Sequence, residues 1–306
     1  MRFDACCRDR LGRIPLLTAF LLTFMNSQFL AAPASDSGSA PQRIITMAPS
    51  ITECVFALGC GDRVVGVTTF CLYPPEAVAK PKCGGWVDPN FEVIAGLKPD
   101  LVIIQGAHEK VVKFCEQRAI RVLSVDINTL ATLKQELMNL GRALNVEDRA
   151  TSLCQAIDRD LEALRSTIPE EQRPRVFLTV MRTEGSLGAL YTVGRGAFLD
   201  ELLALVGGNN VFGDTTQLYF QASKEALLAR RPDLIIELRP SERLDAARAA
   251  ALRAEWSILP SIPAVQKNAI RFVTEDYVLM PGPRVAQSAA AIKKALMADA
   301  ENGTPR

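Results

Sequence analysis

Short apolar runs alternate with longer amphipathic stretches along most of the chain. In the first half, residues 43–47, 64–67, 101–104 and 121–125 are apolar and of strand length. Helical periodicity fills 109–118 and 129–143 between and after them. Pro49-Ser50 closes the first strand. The S-x-x-E spacing of Ser50 and Glu53 predicts a capping box that opens a helix to about residue 58, where Gly59 and Gly61 stop it. Residues 147–167 read as one long helix, without Gly or Pro until Pro169. The second half repeats the plan, with strands at 175–180, 234–238 and 270–273 and helices at 196–206 and 284–297. Apolar strands spaced by amphipathic helices predict parallel βα units and hence an α/β fold.

One segment occurs twice. Residues 92–104 run Glu-Val-Ile-Ala-Gly-Leu-Lys-Pro-Asp-Leu-Val-Ile-Ile, and residues 225–237 run Glu-Ala-Leu-Leu-Ala-Arg-Arg-Pro-Asp-Leu-Ile-Ile-Glu. In each, an acid opens a helix, a basic residue ends it and Pro-Asp turns into a buried strand. The acid suits the positive end of the helix dipole and the base the negative end. A single copy is only a good helix-to-strand connection. Two copies, one per half, predict two similar lobes with the 147–167 helix between them.

The N-terminus reads differently. Arg2, Arg8, Arg10 and Arg13 precede an apolar run over 14–30, followed by Ala32-Pro33-Ala34. That order is a secretory signal with an A-x-A-like cleavage site. A membrane anchor is the alternative, but Thr18, Thr23, Asn26, Ser27 and Gln28 interrupt the run. The predicted organisation is a signal at 1–34, a flexible leader at 35–42, a first lobe at 43–146, a connecting helix at 147–168 and a second lobe at 169–300. The chain is 48% hydrophobic with a formal net charge of +1, so it can fill a core and has no basic excess for nucleic acid.

Export permits disulfides. Of eight cysteines, Cys6 and Cys7 lie in the signal; Cys54, Cys60, Cys71, Cys83, Cys115 and Cys154 remain, none of them beyond residue 154. Cys71 and Cys83 flank one loop and are the favoured pair; buried thiols packed as small hydrophobes are the alternative. No C-x-x-C pair accompanies the single histidine, His108, so a metal site is not expected.

Catalytic signatures are sparse. There is no G-x-S-x-G elbow and no phosphate-binding G-x-x-x-x-G-K-[ST] loop, and Gly185, Gly188, Gly194 and Gly196 do not form a dinucleotide fingerprint. No enzyme is expected. Aromatic side chains instead gather at element ends: Tyr73 before Pro74-Pro75, Trp86 in Gly-Gly-Trp-Val-Asp, Tyr219 and Phe220 before the second repeat copy, and Tyr277 beside Asp276. His108 follows the third strand. Ligands of open α/β sheets bind beyond the carboxyl ends of strands, so these residues point to one cleft.

These segments carry a resemblance. Residues 43–53, Val65-Gly-Val-Thr68 with Tyr73-Pro-Pro75, Asn90-Phe-Glu92 through Leu101, and Ser223-Lys-Glu225 through Leu234 are similar to the periplasmic binding proteins of ABC importers for cobalamin, haem and ferric siderophores. Among these the chain looks closest to the cobalamin binders. The resemblance implies two Rossmann-like lobes with parallel sheets joined by one long helix, and a monomer in the periplasm that serves a permease and its ATPase. It implies that Glu92 and Glu225 dock to the permease, and that Tyr73, Trp86, Tyr219, Asp276 and Tyr277 cradle a corrinoid. Tyr219 and Tyr277 stand where tryptophans are familiar. His108 is placed where an imidazole could serve as an axial ligand. The expected solute is a corrinoid; haem or a ferric siderophore is the alternative. The chain is expected to carry no cofactor of its own. An enzyme or a non-transport sensor is the rival from another class.

Overall fold

The computed structural model describes residues 39–298. The expected signal lies outside the described residues, as do the first half of the leader and the last two residues of the expected second lobe.

The first lobe is built from β1 (Ile44–Thr46), α1 (Pro49–Ala57), β2 (Val64–Val67), α2 (Pro75–Val78), α3 (Phe91–Gly96), β3 (Leu101–Gln105), α4 (Glu109–Glu116), β4 (Arg121–Val125) and α5 (Leu130–Leu144). Its sheet runs β2-β1-β3-β4 and is parallel throughout. Successive side chains of β1 and β3 enter opposite faces. Ile44, Leu101 and Ile103 join one buried cluster, while Ile45, Val102 and Ile104 join another. Burial on both faces is why these strands read as continuous apolar runs rather than alternations.

α6 (Glu147–Leu164) leads to the second lobe. There follow β5 (Arg175–Thr183), β6 (Gly188–Val193), α7 (Phe198–Val206), β7 (Asn209–Asn210), β8 (Tyr219–Ala222), α8 (Lys224–Arg230), β9 (Leu234–Leu238), α9 (Ala246–Ala254), α10 (Pro263–Gln266), β10 (Ile270–Val273) and α11 (Val285–Met297). The sheet order is β10-β9-β5-β6-β8, with β7 beside the first residues of β5. β10, β9, β5 and β7 are parallel, as expected. β6 and β8 make the second sheet mixed: β6 turns back antiparallel to β5, and β8 is antiparallel to β6. The expected two-lobed α/β fold with parallel sheets is found, with an antiparallel extension, β6 and β8, at one edge of the second sheet.

The repeated segment has a structural cause that appears twice. Lys98 and Arg231 both take a left-handed backbone, at φ 46° and 47°, and so turn the chain into Pro-Asp. Asp100 then accepts hydrogen bonds from the Arg43 and Gln42 amides at the start of β1, and Asp233 accepts one from the Arg175 amide at the start of β5. In return the Arg43 guanidinium donates to the Leu97 carbonyl, and Arg175 donates to that of Arg230. Each Arg–Asp lock ties a helix end to the neighbouring parallel strand. β1–β3 and β5–β9 are thus equivalent pairs.

The lobes meet along more than one helix. A single buried cluster runs from β1 and β3 through Leu137 of α5 and Ile157 and Leu161 of α6 to Leu178, Leu199 and Ile292 in the second lobe. The Leu130 amide donates to Glu201 at 2.6 Å, and the Phe198 amide to the Asn128 carbonyl at 2.9 Å. Burial pushes the Glu201 carboxyl up, with the Leu130 amide opposing.

The expected capping box does not form. Pro49 takes the first helical position of α1 and Ala48 the N-cap, so Ser50 lies inside the helix, where its hydroxyl donates to Gln105. Glu53 is left buried and turned elsewhere.

Candidate functional site

At the carboxyl ends of β1, β2 and β3 the first lobe opens into a cavity of about 440 Å³. It is lined by Met47, Ala48, Pro49, Thr68, Phe70, Trp86, Gln105, Gly106 and Ala107, none of them charged. Phe70 is 67% exposed and Trp86 45%, so two large rings face solvent at its mouth. Below, Thr46, Thr52, Thr68 and Cys71 form a buried chain of hydroxyl and thiol hydrogen bonds at 2.7–3.0 Å.

Gly84 and Gly85 let the Trp86 loop turn. Gly84 has φ +82°, and a Cβ there would sit 2.3 Å from the Asp88 carbonyl oxygen. His108 then holds the loop. It caps α4 by accepting from the Val111 amide at Nδ1, which leaves Nε2 to donate to the Trp86 carbonyl at 2.7 Å. The two rings are 4.4 Å apart. Both imidazole nitrogens are therefore engaged and the ring is buried, so in this structure His108 supports Trp86 and presents no free nitrogen as an axial ligand.

Tyr73, Asp276 and Tyr277 do come together, around a residue that sequence reasoning took only as the start of the last helix. Arg284 donates from Nε and Nη2 to the two oxygens of Glu53, at 2.8 and 2.6 Å. Its Nη1 reaches Asp276 at 3.2 Å. The guanidinium carbon lies 3.9 Å from the centre of the Tyr73 ring and 4.8 Å from that of Tyr277. Burial works against this charge, but Glu53 and Asp276 hold the arginine above its ordinary range. Partial burial, with Glu275 and Asp276 beside it, pushes the Tyr277 hydroxyl up, and Arg284 opposes. An acid among Ile51, Thr52, Cys54 and Val55, all buried, was the signal that Glu53 needed a partner. Tyr219 stands apart on the outer strand β8, opposite Val193.

On the second lobe, the carboxyl ends of β5 and β9 carry an ionic network. Buried Glu237 accepts from Arg182 at 3.0 Å and Arg239 at 2.7 Å, and from the Trp256 indole. Arg182 also pairs with Glu255. Glu184 bridges Arg239 and Arg248, and Glu242 bridges the same two arginines. Hydrogen bonds from Arg248 and Arg239 hold Glu184 below the usual carboxylate range. Burial opposes ionisation of Glu242 and Glu255, yet their arginine partners, with the Gly185 amide for Glu255, hold both low. A cavity of about 220 Å³ sits against this network, lined by Thr179, Met181, Arg182, Glu237, Arg239 and Glu242 among others. Three arginines face four glutamates, so the wall has no spare positive charge.

Glu92 and Glu225 occupy matching places in the first turns of α3 and α8, both exposed and both behind a capped start, Asn90 and Ser223 respectively. The favoured Cys71–Cys83 disulfide is not formed: both are buried free thiols, with the Cys71 sulfur engaged by Thr52 and Thr68. Burial pushes the Cys83 and Cys115 thiols up to about 11, which keeps them protonated and unreactive at neutral pH.

Comparison with known proteins follows the same lines. A family model described as periplasmic binding protein matches residues 44–277. An ABC-transporter substrate-binding lipoprotein of Bacillus subtilis is 30% identical over 267 residues, covering 85% of this chain and 81% of its own. A vitamin B12-binding protein of Salmonella typhimurium is 30% identical over 259 residues, covering 84% of this chain and 91% of its own. The crystal structure of a periplasmic haem-binding protein of Pseudomonas aeruginosa superposes with a TM-score of 0.71 at 26% identity, covering 84% of this chain and 92% of that one.

Proposed function

The chain belongs to the periplasmic binding protein family and is a substrate-binding protein of an ABC importer, and on that premise we propose that its solute is a corrinoid of the cobalamin class, captured between the lobes. The observation that carries this reading is the uncharged, aromatic-lipped cavity of the first lobe. A large ring with amide arms can lie against Phe70 and Trp86 without placing any charge there. Tyr219 and Asp276 are the contacts offered from the second lobe. Tyr73 and Tyr277 act through Arg284.

An anionic iron chelate, haem or a ferric siderophore, is favoured by the structural likeness to a haem binder. Such a solute needs cationic side chains in reserve. Arg182, Arg239, Arg248 and Arg284 are each committed to glutamates, and this weighs against it.

Delivery rests on Glu92 and Glu225. Their matching places in the first turns of α3 and α8 support the reading that they meet matching basic sites on the permease, where exposed charges set specificity and on-rate. Titration calorimetry with cyanocobalamin, haemin and a ferric hydroxamate tests the solute. Cyanocobalamin is expected to bind tightly; saturation by haemin or the hydroxamate alone refutes the corrinoid reading.

A further inference from the structure

α1 belongs to the first lobe and the segment before α11 to the second, yet they are joined through side chains. Glu53 and Arg284 are 231 residues apart in sequence and both are buried. Both carboxylate oxygens are used by this one arginine, which leaves only Nη1 for Asp276. The backbone approaches too: an added Cβ on Gly282 would lie 3.8 Å from the Ser50 carbonyl and 3.9 Å from Glu53.

We propose that Arg284 is the positioning residue of the cleft: gripping Glu53 across the lobes, it fixes their separation and the pose of Tyr73 and Tyr277. A buried ion pair is an inefficient source of stability, since apolar side chains of similar volume commonly do as well. What it supplies instead is geometry. The guanidinium is a planar fork whose two edges fix direction as well as distance, and its face takes aromatic rings. The loop from Thr68 to Tyr73 begins at the cavity and ends against Arg284, so the cavity wall and the lobe contact share one segment. Asp276, 48% exposed, is the open member of the cluster. A solute that draws on Asp276 acts on the same arginine that spaces the lobes.

The proposal is tested in three variants. Arg284→Met alone strands a buried carboxylate and can fail to fold. Glu53→Met/Arg284→Met removes both charges and keeps the volume, so it should fold with a thermal midpoint near that of the parent. Arg284→Lys keeps the charge and loses the fork. Hydrogen exchange is read without solute on 68–78 and 276–284, one loop from each lobe. In the double variant and in Arg284→Lys, exchange of both loops is expected to rise at least tenfold, with the β1, β3 and β9 amides unchanged. Parental protection of both loops in a folded double variant overturns the proposal; so does full rescue by lysine. A last readout rests on the corrinoid reading: cyanocobalamin affinity should fall about tenfold in the double variant. If the parent binds no cyanocobalamin, that reading fails, while the exchange result still decides this one.

Discussion

His108 donates from Nε2 to the carbonyl oxygen of Trp86 at 2.7 Å, and its other nitrogen caps α4. The imidazole therefore holds a loop, and a metal ion at either nitrogen would have to displace at least one of these bonds. His108→Asn can still cap the helix, since asparagine is a favoured cap, but it cannot reach Trp86. A loss of about 1 kcal/mol in unfolding free energy is expected, the usual worth of one net hydrogen bond. Trp86 fluorescence should shift to the red. The absorption spectrum of any bound haemin should be unchanged, and a changed axial-ligand band would restore the ligand role.

Phe70 and Trp86 form the apolar lip of the first lobe. Alanine at either position should weaken cyanocobalamin binding by about 1–3 kcal/mol, in the range of aromatic anchors at interfaces, and leave the fold intact. Calorimetry on the purified variants reads this directly. Equal affinity in both would remove the cavity from the solute site.

Glu92→Ala and Glu225→Ala test delivery. Both side chains are exposed, and neither makes a contact that shapes the cleft. Solute affinity and thermal midpoint should stay at parental values, while uptake by cells carrying the permease falls, most of all in the double variant. Undiminished uptake refutes the docking role.

The glutamate network of the second lobe gives a pH dependence whose sign is fixed. Glu184, Glu242 and Glu255 all have carboxyls held below their ordinary range. Such groups bind protons more readily unfolded than folded, so their contribution is complete above the unfolded glutamate value of about 4.3 and is lost as pH falls below it. Chemical denaturation at pH 7, 5 and 3.5 should show little change over the first interval and a loss over the second. Arg239→Met, which removes one partner from each of Glu184, Glu237 and Glu242, should flatten that loss. An equally steep acid limb in the variant would show that other carboxylates dominate it.

The Arg–Asp locks predict equal effects at equivalent places. Asp100→Ala and Asp233→Ala should each cost about 1 kcal/mol, a figure reduced for exposure from the usual worth of a charged hydrogen bond. Denaturant titration of the two single variants checks it. A large cost at one site and none at the other would break the equivalence of the lobes.

Much of this architecture could be read from the chain. The buried strands announced themselves as apolar runs, and the doubled Pro-Asp segment pointed to the lobes because the same turn recurs in both. β6 and β8 were missed for a physical reason. Gly188 opens β6 behind a glycine-rich stretch, and Tyr219-Phe220 read as loop aromatics because β8 is a four-residue edge strand. The site was less legible than the fold. Ser50 and Glu53 match a helix-start pattern, but Pro49 shifts the start by two residues and frees the acid. Its partner lies in the other lobe, beyond the reach of any local periodicity. Trp86 lies at a cavity mouth, and Tyr73, Asp276 and Tyr277 gather around an arginine that no pattern in the chain singles out.

The locks also set an order of closure. Arg43 meets Asp100, and Arg175 meets Asp233, each over fewer than sixty residues and within one lobe. For a chain delivered end-first, the first half can close on itself before the second has emerged, and the second can then do the same. Glu53 must wait longer than either lock, since Arg284 lies 231 residues further along the chain. Whatever threads the chain to its compartment, the grip between the lobes is a late stitch.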